Sequence, residues 1–243
     1  MRRMRIRTAR WEIGGRRLTV TAGSVVGNRY PDNFDVLHLD EVRPLAVVAD
    51  GMGDGPGSTA AGRTTVAVFI REAATGPAAL RAAVAAVQVA VRDAGRAQPG
   101  LTGCTLTAFL GGDDGDAWIV QLGDSRAYRL RDGCLELLTS DHTAAWLGIL
   151  NGWYAADSRE AYYDRHRLTR YAGHPGMPEP DLLNVALRPG DRFLLCTDGV
   201  SDQIDDRALA RLLADGTPVE TVLDQTLRTG GDDNATAVLI HVS

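Results

Sequence analysis

Cysteine is scarce in this chain, positive charge is not in excess, and no apolar run is long enough to cross a bilayer. The three cysteines, Cys104, Cys134 and Cys196, are odd in number and lack metal-ligand spacing. Cys104 and Cys196 lie inside apolar runs and are expected as buried, inert thiols suited to a reducing cytoplasm. The formal net charge of -5 argues against a nucleic-acid binder. The longest apolar region, Ala78 to Val91, is broken by Arg81 and Gln88 and closed by Arg92, short of the roughly 20 residues a membrane span needs. The basic start MRRMRIRTARWEI is followed by no apolar segment of secretory length. No Gly-x-Ser-x-Gly element or Cys-His pair suggests a covalent nucleophile. The expectation is a cytoplasmic monomer with neither nucleic-acid nor membrane partners.

The 243 residues can bury a large core without staples. No repeat or low-complexity linker divides them, so a single domain over 1–243 is expected. Short runs rich in branched residues alternate with two alanine-rich stretches. LTVTAGSV, FDVLHL and PLAVVA read as the first strands. Ser58 to Ala73 and Pro77 to Ala94 read as helices, with Pro77 suited to a first turn. After QPG come TLTAFL, AWIVQLG, AYRL and LELL, joined by the GGDDGD and RDG turns. DLLNVAL and DRFLLC are expected to pair around RPGD. Helices follow over Asp206 to Ala214 and Pro218 to Arg228, and ATAVLIHV is the last strand. Successive hairpins favour antiparallel sheet over βαβ units, giving sheets covered by helices.

What the chain does have is carboxylates at strand ends. Asp50 closes LAVVAD, Asp198 follows RFLLCT, Asp233 precedes Asn234 and ATAVLIHV, and Asp35 stands at the edge of NFDVLHL. Buried acids at neighbouring strand ends repel unless a cation neutralises them. Hard divalent ions take short oxygen ligands of this kind, and the Gly51 carbonyl offers one more. GMGDGP is neither a dinucleotide loop, since proline replaces the third glycine, nor a P-loop, since Lys-Ser/Thr is missing. Asp202, Asp205 and Asp206 read as helix caps or solvent-facing groups, with Asp202 held open as an extra ligand. Asn234 is suited to bracing the neighbouring backbone or its carboxylate. Arg29, the cation nearest to Asp35, offers a fork for phosphate oxygens or a plain surface ion pair. GDSRAY and TSDHT read as structural, with His142 a candidate for proton transfer, while the other histidines are scattered.

These segments resemble, in order and over nearly the whole chain, the metal-dependent serine/threonine protein phosphatases of the type-2C (PPM) family, particularly the short bacterial forms. The likeness rests on NFDV, VVADGMGDGPGSTAA, TGCTLTAFL, VQLGDSRAYRLRDGCLELLTSDHT, LTRYAG, RPGDRFLLCTDGVSD and GGDDNATAVLI. It implies an α+β fold, a four-layer α-β-β-α sandwich with two central antiparallel sheets flanked by helices. It implies two Mn2+ or Mg2+ ions per chain held by Asp35, Asp50, Gly51, Asp198 and Asp233, and in-line attack on phosphorus by metal-activated water. Phosphoprotein substrates and a counterpart Ser/Thr kinase follow from the same likeness.

The chain departs from the family pattern at several positions. Phe34 stands where glutamate is usual, Arg29 is one residue farther from Asp35, and Asp54-Gly55 replaces Gly-His. Met52 occupies the place of a histidine general acid of eukaryotic relatives, and Cys104 that of a threonine. Two other readings therefore stand beside the phosphatase: a catalytically weak phosphoprotein-binding module, and a hydrolase of small phosphorylated metabolites. The segment 144–167 matches the family's variable flap, and its Trp153, Tyr162 and Tyr163 are expected to pack against the sheet rather than touch a substrate.

Overall fold

A computed structural model describes residues 4–243. Eleven strands among these residues form two antiparallel sheets. The first contains β1 (Arg5–Ile13), β2 (Arg16–Val25), β7 (Arg126–Arg131), β8 (Cys134–Leu137), β10 (Arg192–Cys196) and β11 (Ala235–Val242). Its spatial order is β1-β2-β11-β10-β7-β8. The second contains β3 (Val36–Leu39), β4 (Leu45–Ala49), β5 (Leu106–Gly111), β6 (Asp116–Leu122) and β9 (Asp181–Ala186), in the order β3-β4-β5-β6-β9.

Three apolar layers account for this architecture. Trp11, Leu18, Val20, Ile240 and Phe193 from the first sheet meet Val48, Phe109 and Ile119 from the second. Phe109 lies between Trp11, stacked at 6.1 Å, and the edge of Phe193 at 5.7 Å. The outer face of the second sheet is covered by α1 (Pro56–Glu72) and α2 (Pro77–Gly95), which supply Phe69, Leu80, Val84 and Val87. The first sheet is covered by α5 (Asp198–Ser201), α6 (Asp206–Ala214) and α7 (Val219–Thr229), with Leu209, Leu213, Val222 and Leu223 turned inward. Strands covered on both faces need apolar residues at every position, and β4, LAVVA, is buried throughout. The expected helix–sheet–sheet–helix sandwich is the fold.

Helix boundaries follow local chemistry. Pro56 and Pro77 occupy first turns, where a missing N–H costs nothing. Thr143 caps α3 (Ala144–Leu150) by accepting from the Trp146 N–H, and Asp205 caps α6 by accepting from the Ala208 N–H. The 144–167 segment carries α3 and α4 (Arg159–Asp164).

Two expectations need correction. β9 and β10 do not pair around RPGD: β9 joins β6 in one sheet, while β10 lies between β7 and β11 in the other. The turn carries the chain across the sandwich, and its tightness resembled a hairpin. Within the basic start, Arg5–Ile13 form a strand along the edge of the first sheet, pairing Arg5 with Ser24 through Ile13 with Arg16. Its alternating Ala9, Trp11 and Ile13 enter the inter-sheet core, with arginines and Thr8 obscuring the pattern. Among the described residues, no helix is long and apolar enough to cross a membrane.

Candidate metal centre

Antiparallel pairing gathers the acidic strand ends at one end of the sandwich. β4 runs against β3, so Asp50 after β4 comes close to Asp35 before β3. β10 runs against β11, which likewise brings Asp198 and Asp233 together. The cleft there has a volume of about 390 Å³ and is lined by Asp50, Gly51, Asp124, Asp198, Asp233 and Arg29, among others. Donors thus come from both sheets.

Hydrogen bonds fix these ends. The Asp50 N–H donates to Thr105 Oγ1 at 2.8 Å, and Thr105 N returns a bond to the Asp50 carbonyl at 2.8 Å. Asn234 binds three ways: its N–H donates to Asp233 Oδ1 at 2.7 Å, its Nδ2 to the Asp32 carbonyl at 3.1 Å, and its Oδ1 accepts from Phe34 N at 2.7 Å. This is the brace expected of it. Gly199 permits close passage of the two strand ends, since a β-carbon there would overlap the carbonyl oxygen of Asn234.

Asp35, expected among the ligands, is buried against Asp50, Asp198 and Asp233, and its Oδ1 has no hydrogen-bond partner among the described residues. Asp35 Oδ2 accepts from Thr197 Oγ1 at 2.9 Å and Thr236 Oγ1 at 2.7 Å. The residue lines a neighbouring groove rather than the cleft wall. Two groups, Asp124 and His166, escaped the sequence reading. Asp124, read as part of a structural turn, is buried in the cleft, because its turn crosses from the second sheet to the first. His166, read as one of the scattered histidines, and Asp202, held open as an extra ligand, offer donor atoms that lie with one of Asp198 within 4.8 Å of each other. Only pairing of the 144–167 segment with the cleft could have revealed His166.

His142 is not placed for proton transfer to a substrate. It is 3% exposed, its Nδ1 accepts from the Gly123 N–H at 3.1 Å, and its Nε2 therefore carries the proton donated to Asp181 at 3.1 Å. Arg170 secures Asp181 at 2.7 Å. The imidazole thus anchors the turn that bears Asp124. The aromatic residues expected to pack against the sheet also behave otherwise, since Trp153, Tyr162 and Tyr163 are 60–70% exposed.

The electrostatics of the cleft call for cations. Burial first, then the charges of Asp198 and Asp35, push the Asp50 pKa well above the usual carboxylate range. Burial and Asp198 likewise raise Asp124. Burial raises Asp233 to about 6, with Asp198 adding to the shift and His166 and Arg29 opposing it. Asp35 rises to about 7, chiefly through burial, although its two threonine hydrogen bonds favour the ionised form. Asp198 is raised by burial and by Asp202, and its buried Oδ1 has no hydrogen-bond partner. An uncompensated oxygen among mutually repelling carboxylates fits a hard divalent ion. The donor set passes that test.

The fold and this cleft define an acid-lined site, suited to hard cations, on a two-sheet sandwich. Comparison with known proteins gives the family. Residues 24–241 match the family model for protein phosphatase 2C. The chain is 34% identical over 209 residues to the serine/threonine protein phosphatase PstP of Mycobacterium tuberculosis, covering 82% of this chain and 40% of that relative. The match therefore spans less than half of the mycobacterial protein. A crystal structure of the M. tuberculosis PstP/Ppp phosphatase superposes with a TM-score of 0.80 at 32% identity, covering 92% of this chain and 98% of that one. The PstP catalytic domain in complex with two manganese ions gives 0.78 at 32% identity, covering 93% and 98%. This chain belongs to the protein phosphatase 2C family.

Proposed function

We propose that the chain hydrolyses phosphoserine and phosphothreonine in proteins, with divalent cations as cofactors. The observation that carries this reading is the convergence of Asp50, Asp198 and Asp233 in one cleft with no guanidinium or ammonium paired to them among the described residues. Asp50, the Gly51 carbonyl, Asp198 and Asp233 would hold the ions, which supply Lewis-acid charge and activate water. Two ions fit the number of carboxylates, as in the related catalytic domain with two manganese ions. Mn2+ or Mg2+ suits the all-oxygen donor set.

The chain's own residues do the positioning. Arg29 lines the same cleft, free to meet phosphoryl oxygens with a planar pair of donors. Asn234 and Thr105 keep the acidic strand ends in register, so ligand geometry is set before substrate arrives. Asp35 acts from behind the cleft, held by Thr197 and Thr236, the residues that flank Asp198 and follow Asn234 and Ala235. A Ser/Thr kinase is the implied counterpart. The cleft is open to solvent, and exposed Tyr162 lines an adjoining pocket with Arg29, Asp198 and Asp233, which suits a protein substrate better than a small metabolite.

A second reading rests on Phe34, which is 8% exposed, lines the cleft and meets Tyr30 edge-on. An apolar group at this wall suits a phosphoprotein-binding module of low turnover. Hydrolysis of a phosphothreonine peptide, with Mn2+ and after EDTA, separates the two. Metal-dependent turnover that Asp198→Asn reduces by orders of magnitude supports the phosphatase. Phosphopeptide binding without turnover supports the module.

A further inference from the structure

β1 presents two arginines where its own periodicity calls for core residues. Side chains two apart on a strand share a face, and Ala9, Trp11 and Ile13 point into the inter-sheet core. The same face therefore carries Arg7 and Arg5, beyond the reach of the opposing sheet. Met4 and Ile6, on the alternate face, pack toward the helices instead. Arg5 and Arg7 line a groove of about 500 Å³ together with Ser24, Tyr30, Asn33 and Leu37. Both are exposed, and neither guanidinium makes an ion pair or hydrogen bond among the described residues.

The groove adjoins the metal cleft. Tyr30 lines both, so one loop separates them. Asp35, on the groove floor, is buried and occupied on Oδ2 by two threonine hydroxyls, leaving the two guanidiniums as the accessible charges. Arg5 and Arg7 sit about 7 Å apart along an extended strand. That is the repeat of alternate residues in an extended peptide, and guanidinium forks match carboxylates.

We propose that this groove binds an acidic stretch flanking the phosphorylated residue, and that acidic residues two apart, as in Asp-x-Asp, are selected there. The inference rests on the protein-phosphatase reading and names the substrate class for that site. Charge complementarity supports the assignment: a substrate chain leaving the cleft over the Tyr30 loop meets the cationic groove of Arg5 and Arg7.

Two phosphothreonine peptides test this, one with Asp-x-Asp flanks and one with Asn-x-Asn flanks, beside a small aryl phosphate that reaches only the cleft. The expected kcat/KM preference for the acidic peptide is about three- to tenfold at low salt, carried by KM, given the modest strength of exposed ion pairs. Arg5→Ala with Arg7→Ala should erase the preference, and Arg5→Glu with Arg7→Glu should invert it, while aryl phosphate turnover stays constant. Fluorescence anisotropy of the labelled peptides reads the groove independently of turnover. Arginine-dependent preference in binding without hydrolysis would uphold the groove and refute the phosphatase. Equal KM and equal affinity for the two peptides, with intact aryl phosphate hydrolysis, would refute the groove and leave the phosphatase standing.

Discussion

Removing metal should make the folded state lose stability as pH rises, which is the reverse of a chain whose acids sit in salt bridges. Asp35 has a folded pKa of about 7 and Asp233 of about 6, both above the ordinary carboxylate value of 3.8, chiefly through burial. Between pH 4 and 7 the folded state thus holds more protons than the unfolded chain, so stability falls with rising pH. Each proton contributes up to about 1.4 kcal/mol per pH unit. From pH 5.5 to 8, Asp35 alone loses about 2 kcal/mol, and Asp233 adds a smaller amount in the same direction. For a chain of this length that is a drop in Tm of about 4–8 °C. His142, its pKa lowered by burial, opposes the trend below its ordinary range. It acts equally with and without metal, so the decisive quantity is the difference between the two curves. Differential scanning calorimetry in EDTA and in Mn2+ should show that difference widening across this pH interval. In Asp198→Asn, which removes a charge acting on both Asp35 and Asp233, the metal-free curve should flatten and the Mn2+ shift should largely vanish. A metal-free Tm that rises with pH, or a full Mn2+ shift in Asp198→Asn, would refute the reasoning.

Other predictions follow from individual side chains. Arg29→Ala should raise KM for a phosphopeptide about tenfold with a smaller change in kcat, as loss of a charge-assisted contact requires; unchanged saturation would return Arg29 to the surface. Gly199→Ala should cost about 1–3 kcal/mol in denaturant unfolding, because the new methyl meets the Asn234 carbonyl. Trp153→Ala should change stability by less than about 0.5 kcal/mol, since the side chain is 70% exposed. A large loss there would show that it packs in solution.

The sandwich was legible because strand and helix patterns differ in period and because fully covered strands such as LAVVA admit no polar residue. Neighbour choice was less legible. DLLNVA and RFLLC flank a tight turn, and nothing local says that one strand completes the second sheet while the other enters the first. Three ligand candidates were readable as carboxylates at strand ends, where side-chain direction is determined. Asp35 was readable as an acid at a strand edge, but a sequence does not show that Thr197 and Thr236 engage its Oδ2 and leave Oδ1 buried and unpartnered among the described residues. Asp124 and His166 reach the cleft through a sheet-to-sheet crossing and the 144–167 segment, and their positions depend on contacts distant in sequence.

Asp50 rides on one sheet while Asp198 and Asp233 ride on the other, so donor spacing reports how the two layers sit against each other. Phe109, between Trp11 and Phe193, acts as the spacer in that stack. Shortening it would let the layers slide, and ion affinity would register the slippage before the chain came apart. Donor spacing at this cleft is therefore a property of interlayer alignment as much as of the acids themselves.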